Sequence, residues 1–239
     1  MRTILFIHGF PLDATMWNHQ RNAGFPMLAP DLPGFGGSTS PPPEPPTIEA
    51  YADYVWEVIG QQKDKPIVAG LSMGGYVLLA LLRKHAAGVA GAVLIDTRAD
   101  PDSPEARANR LKAIDDVRAN GTGNVINGLM GRLLAPGATE AVKHETREIM
   151  ERQSAAAVVA AQTAMANRRD QTELLPQLKL PTLIIVGEKD AITPPPLARA
   201  MHAAIPGSRL AEIPGVGHMS PMEAPEAVNA VLRDFAAGG

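Results

Sequence analysis

Short runs of consecutive apolar residues alternate along the chain with longer stretches in which apolar residues recur every three or four positions. The runs are residues 3–7 (TILFI), 26–30 (PMLAP), 66–70 (PIVAG), 91–96 (GAVLID), 181–187 (PTLIIVG) and 208–213 (SRLAEI). Several are apolar at every position, as strands covered on both faces are, and together they predict about six strands. Between them, residues 47–62, 73–86, 194–205 and 220–237 carry helical periodicity. The third of these opens on prolines, whose missing N–H costs least in a first turn. Strand and helix in alternation imply an α/β fold with a mainly parallel, doubly wound sheet.

The rhythm breaks once. Residues 98–172 hold no strand signal, only alanine-rich and charged helical patterns such as SPEARANRLKAIDDVRANG and TEAVKHETREIMERQS. Because the strand pattern resumes at Pro181, this segment reads as a helical cap inserted into one core domain formed by residues 1–97 and 173–239. The proline-rich SPPPEPPT (residues 40–47) reads as a stiff surface loop leading into a helix.

Composition narrows the classes. With 239 residues, 45% of them hydrophobic and 20% charged, the chain can bury a full core. A net charge of -3 and the lack of any lysine or arginine cluster argue against a nucleic-acid partner. The absence of cysteine removes a disulfide framework, a thiol nucleophile and a thiolate metal site. The first apolar run falls short of the roughly 7–15 residues of a secretory signal. Residues 155–166 (AAAVVAAQTAMA) fall short of the about 20 that cross a bilayer. The expectation is a cytoplasmic protein, monomer or homodimer, with no membrane partner.

Against this background, GLSMGG (residues 70–75) stands out. A hydroxyl is a weak nucleophile until a base takes its proton and a third group orients that base. The G-x-S-x-G pattern falls where an apolar strand gives way to a helix, the setting in which a sharp turn presents a serine. Ser72 is the candidate nucleophile; the plainer alternative is a tight strand–helix turn. Of the six histidines, His218 lies in a glycine-flanked loop (GVGHMSP) after the last strand. That is the C-terminal edge, where ligands meet in open α/β sheets. His19, His85, His144 and His202 sit in polar or helical contexts, and no pair has metal-binding spacing.

The acid is expected between serine and histidine. GEKD offers Glu188 and Asp190, of which Asp190 lies further into the loop; Asp96, ending GAVLID, competes for the role. Two N–H groups must face the developing oxyanion, and Met73 and Phe10 are the candidates. His8 reads as a buried group shaping the loop that carries Phe10.

Taken in order, HGF, DLPGFGGS, GLSMGG, GEKD and GVGHMSP resemble the α/β-hydrolase superfamily. The resemblance covers nearly the whole chain outside the cap. It implies a Ser72–His218–Asp190 triad, Phe10 and Met73 as oxyanion donors, and no cofactor or metal. Within the superfamily, the HGFPLDATMW start resembles small carboxylesterases and 3-oxoadipate enol-lactonase-like proteins. Two departures accompany it. The customary leading hairpin is missing, and the cap lacks a carboxylate-binding signature, with Arg98 the nearest candidate. Leu12, Trp17, Met130, Met165 and Met219 are candidates for an apolar substrate pocket.

The implied activity is hydrolysis of small to medium carboxylic esters through an acyl-enzyme. A lactonase, C–C bond hydrolase or perhydrolase on the same triad is the alternative, and a non-catalytic ligand-binding relative is the alternative of another class.

Overall fold

The structure, a computed structural model, describes residues 1–238. Six strands form one sheet: β1 (Ile4–Ile7), β2 (Met27–Leu28), β3 (Ile67–Leu71), β4 (Gly91–Ile95), β5 (Thr182–Gly187) and β6 (Arg209–Ile213). Their order is β2-β1-β3-β4-β5-β6, and every pairing is parallel. Side chains leave a strand alternately on opposite faces, and the core divides accordingly. Leu5, Ile7, Val68, Leu94, Ile184 and Val186 point into one apolar layer, while Ile4, Phe6, Ala69, Val93, Leu183 and Ile185 point into the other. The first layer is completed by α1 (Ile48–Gly60), α2 (Met73–His85) and α7 (Pro195–Ala204). The second is closed by α9 (Pro225–Ala237) and by the 3₁₀ turn Ala14–Gln20, whose Trp17 lies 4.7 Å from Phe6, ring centre to ring centre.

Between β4 and β5 runs a helical insertion: α3 (Pro104–Asn120), α4 (Gly123–Leu133), α5 (Glu140–Glu151) and α6 (Ala155–Ala166). Ser103, Thr139 and Ser154 cap α3, α5 and α6, each hydroxyl accepting from a backbone N–H three residues on. No helix among the described residues is long and apolar enough to cross a membrane.

Two elements depart from the sequence pattern, both because of proline. The run at 26–30 contributes only Met27–Leu28 to the sheet, since its flanking prolines have no N–H to extend the ladder. The helix expected over 220–237 is broken into α8 (Ser220–Glu223) and α9 at Ala224, which adopts φ -136°, ψ 61°. The ring of Pro225 disfavours helical backbone at the residue before it.

The strand order positions the site. From β1 the chain winds outward to β2, then returns to place β3 on the other side of β1. The loops after β1 and β3 therefore diverge, opening a crevice beyond the C-terminal ends of these strands. All the candidate chemistry lies on this edge.

Candidate active site

Ser72 follows β3 directly and opens α2 with φ 53° and ψ -112°. An L-residue there carries strain on the order of 1–3 kcal/mol. The surroundings hold it in place: Ser72 N–H donates to Ile95 O at 3.0 Å, and its carbonyl accepts from Thr97 Oγ1 at 2.8 Å. Gly70 and Gly74 are required by close approach. A Cβ at Gly70 would lie 2.2 Å from the Gly74 carbonyl oxygen, and one at Gly74 would lie 2.3 Å from that of Ile7. Ser72 stands at the N-cap of α2 yet makes no capping bond, unlike the serines and threonines that begin α1, α3, α5 and α6. No hydrogen bond joins the Ser72 hydroxyl to His218 among the described residues.

Asp190 lies three residues beyond β5, and His218 lies in the loop after β6; both are buried. His218 Nδ1 meets Asp190 Oδ2 at 2.8 Å. The carboxylate also accepts from Ile192 N at 2.8 Å, Thr193 N at 2.9 Å and Thr193 Oγ1 at 2.8 Å. Burial pushes its pKa up, but the hydrogen bond and charge of His218 and the bonds from Thr193 outweigh burial and hold it below the ordinary carboxylate range. An ionised carboxylate only accepts, so Nδ1 carries a proton in this pair, and Nε2 is the nitrogen left to exchange one with a reacting group. The Thr193 hydroxyl also lies 3.3 Å from Nδ1.

The second acid behaves differently. Asp96 is wholly buried, and burial raises its carboxyl to about 7, offset in part by the nearby His218. It makes no bond to His218. Its partners are Gly187 N at 2.8 Å, Ser220 N at 3.2 Å and Ser220 Oγ at 2.6 Å, groups distant in sequence rather than the local backbone.

On the opposite wall of the crevice is the loop after β1. His8 is fully buried, its Nδ1 2.9 Å from Gly9 O, while its Nε2 accepts from Leu32 N at 3.0 Å. That pattern fixes a neutral imidazole, and burial lowers its pKa despite the bond to Gly9. His8 thus braces the loop that carries Phe10. No protein acceptor takes the Phe10 N–H among the described residues. Met73 N–H, at the first position of α2, has no acceptor within its helix.

Four of the five pocket candidates, Leu12, Trp17, Met130 and Met219, share one core layer, with Met130 at its partly buried margin. Met165 is buried in the other layer. Met130 also lines a cleft between α4 and α5 with Asn127, Lys143 and His144. A different cleft, of about 410 Å³, opens beside the acid–histidine pair and is lined by Tyr76, Arg98, Arg110, Arg132, Ile192 and Thr193. Arg98 is engaged by the Asp100 carboxylate through both Nε and Nη2.

Three groups escaped the sequence reading. Thr193, which holds Asp190, was legible in the D-x-x-T spacing, since an aspartate often accepts from the N–H and hydroxyl three residues on. Glu223 accepts from Gly217 N at 3.0 Å and Met219 N at 3.3 Å on either side of His218, and from Ala135 N at 2.8 Å in the insertion. Arg168, buried at the end of the insertion, meets Asp102 Oδ1 at 2.6 Å and lies 4.4 Å over the Tyr76 ring. Neither of the last two has a local sequence signature. Among the described residues no group of three or more His, Asp or Glu side chains is arranged to hold a metal ion.

An all-parallel sheet with a strained serine after β3 and a buried aspartate–histidine pair from its last loops is the architecture of a hydrolase class. The chain belongs to the alpha/beta hydrolase family, whose model matches residues 4–231. Within it, the chain is 30% identical over 248 residues to the pimeloyl-[acyl-carrier protein] methyl ester esterase of Neisseria meningitidis serogroup A, covering 100% of this chain and 78% of that one. Its structure is similar to a thermophilic esterase from Thermogutta terrifontis, with a TM-score of 0.95 and 40% identity over 100% of this chain and 90% of that one. It is also similar to the enol-lactonase from Burkholderia xenovorans LB400, with a TM-score of 0.90 and 26% identity over 99% and 91% of the two chains.

Proposed function

We propose that this protein is a serine carboxylesterase that cleaves small to medium esters through an acyl-enzyme, without a cofactor or metal. The observation that carries the reading is the buried Asp190–His218 bond of 2.8 Å, on the same sheet edge as a serine held in strained backbone. Asp190, held ionised, keeps the Nδ1 proton in place so that His218 Nε2 faces the reaction as a base. Nε2 takes the Ser72 proton as Oγ attacks the ester carbonyl. The oxyanion is received by the N–H groups of Phe10 and Met73. His218 then protonates the leaving alcohol, and water, deprotonated by the same nitrogen, releases the acid. Such bonds are commonly long before substrate arrives, consistent with a Ser72 hydroxyl not yet bonded to His218.

In this reading residues 98–172 act as a cap over the site, and Leu12, Trp17, Met130, Met165 and Met219 serve mainly as packing. The cleft beside Thr193, lined mainly by polar and charged side chains of both signs, favours substrates of modest size over long acyl chains. The esterases among its relatives support ester hydrolysis, and the enol-lactonase keeps a cyclic ester as the second substrate class.

Purified protein is tested on p-nitrophenyl esters of increasing acyl length and on lactones. Turnover of the shorter esters is expected, falling by about 10⁴-fold or more in Ser72→Ala, the scale on which a triad member acts. A fluorophosphonate is expected to label Ser72. Full turnover in Ser72→Ala, or labelling elsewhere, removes the assignment.

A further inference from the structure

Among the described residues only two other than glycine have positive φ: Ser72 at 53° and Asp96 at 44°. They follow neighbouring strands, β3 and β4. The strain at Ser72 belongs to the sharp turn from β3 into α2, the elbow that presents the serine. Strain at Asp96 persists only because its surroundings over-determine it, and those surroundings are the two loops that carry the acid and the histidine. Oδ1 accepts from the N–H of Gly187, the last residue of β5 and three residues before Asp190. Oδ2 accepts from the N–H of Ser220, two residues after His218, and shares a hydrogen bond with its hydroxyl. The adjoining backbone reaches the elbow: Ile95 O accepts from Ser72 N, and Thr97 Oγ1 donates to Ser72 O.

We infer that Asp96 is a positioning residue: its carboxyl group fixes the His218 loop relative to the Asp190 loop and anchors both to the backbone that holds Ser72. The inference rests on the triad reading above. Two backbone N–H groups fall on different oxygens of the side chain, so both oxygens must accept, and a carboxyl group provides this in either protonation state. Asparagine has the same shape but one accepting oxygen, so its NH₂ must face either the Gly187 N–H or the Ser220 N–H. A direct hydrogen bond from Asp96 to the imidazole Nδ1 is absent, because that nitrogen is already taken by Asp190.

The test compares wild type, Asp96→Asn, Ser220→Ala and the double variant on a short p-nitrophenyl ester. Misplacing a reacting group by about 1 Å can cost 10²-fold. Asp96→Asn is therefore expected to lower kcat about a hundredfold with KM within twofold. Ser220→Ala, which removes only the hydroxyl bond, is expected to lower kcat several-fold. The double variant is expected to be no slower than Asp96→Asn, because the two groups act as one unit. Equal kcat in all folded variants, a loss confined to KM, or multiplicative losses overturns the inference. If Asp96→Asn does not fold, Ser220→Ala decides alone: unchanged kcat overturns it.

A second readout is independent of turnover. The imidazole Nδ1 proton, observed by NMR in histidine-labelled protein, is expected to shift or broaden in Asp96→Asn and Ser220→Ala; an unchanged resonance in both overturns the inference. Wild-type protein that neither hydrolyses esters nor labels at Ser72 refutes the hydrolase reading instead, and the NMR arm still reports on Asp96.

Discussion

Replacing Ser72 by glycine and by alanine separates the strain of the elbow from the loss of the hydroxyl. At φ 53°, ψ -112° a side chain costs on the order of 1–3 kcal/mol, and glycine escapes that cost. At an ordinary position glycine is instead less stable than alanine by roughly 0.5–1 kcal/mol, because the unfolded chain gains freedom. The difference predicts that Ser72→Gly is more stable than Ser72→Ala by about 1 kcal/mol, the reverse of the usual order. Alanine is a fair reference, since the serine hydroxyl makes no capping bond that either replacement forfeits. For a chain of this size 1 kcal/mol corresponds to a Tm difference of about 2–4 °C. Calorimetry and urea titration of the two variants measure it, and neither variant is expected to turn over ester. A glycine variant that melts below the alanine variant refutes the argument that Ser72 is held under strain.

The helix after the elbow supplies a second contrast. Gly74→Ala drives a Cβ into the backbone carbonyls of Ile7 and His8 and is expected to cost about 3 kcal/mol or more, whereas Gly128→Ala, in α4 with open space around its Cβ, is expected to add up to about 1 kcal/mol. Urea titration of both reads the difference. The pH dependence of stability should carry the signature of Asp96. With a native pKa of about 7 against about 3.9 unfolded, the native state binds the extra proton between these values, so this group's contribution falls as pH rises from 4 to 7. Asp96→Asn should flatten that slope in urea titrations at pH 4.5, 6 and 7.5. Asp190, held low, contributes with the opposite sign: its stabilisation is present above about pH 4 and is lost as pH falls through its native value. Arg168→Met leaves Asp102 with Arg110 alone and removes the cation over Tyr76; a loss of about 3 kcal/mol and earlier proteolysis near residues 98–104 are expected.

The fold was legible where its cause is local. Each strand announces itself as an apolar run because both faces of the sheet are covered, and G-L-S-M-G is readable because the elbow needs small residues within two positions of the serine. Pro225 could also have been read from sequence, since it restricts Ala224 whatever the tertiary context. The packing of the pocket candidates was not legible. Met165 and Met219 have the composition of either a core or a pocket, and only packing assigns one to each core layer. Arg98 looks free as a carboxylate receptor in the sequence, yet its neighbour two positions on, Asp100, holds it. Glu223 was invisible because its three donors come from two sides of the histidine loop and from the insertion, separated by up to 88 residues.

The choice between Asp96 and Asp190 shows what a sequence of this kind leaves to tertiary structure. Both are aspartates near the end of an apolar strand, and both lie in the crevice close to His218. Burial is the largest influence on each and pushes each upward. Their difference lies in what opposes it. Asp190 receives the histidine itself, a hydroxyl and two backbone N–H groups, enough to keep it charged; Asp96 has two N–H groups and a hydroxyl and lies near Asp190, so its charge is disfavoured. In the proposed reaction, only a carboxylate that stays charged can stabilise the imidazolium formed as Ser72 attacks. The neighbouring carboxyl, pushed toward neutrality, is suited to holding loops in place, and the charged state of the first raises the cost of charging the second. In the proposed triad, the bonding and the electrostatics agree: Asp190 meets His218 directly and stays charged, whereas Asp96 bonds only to Gly187 and Ser220, which suits it to the positioning role inferred above.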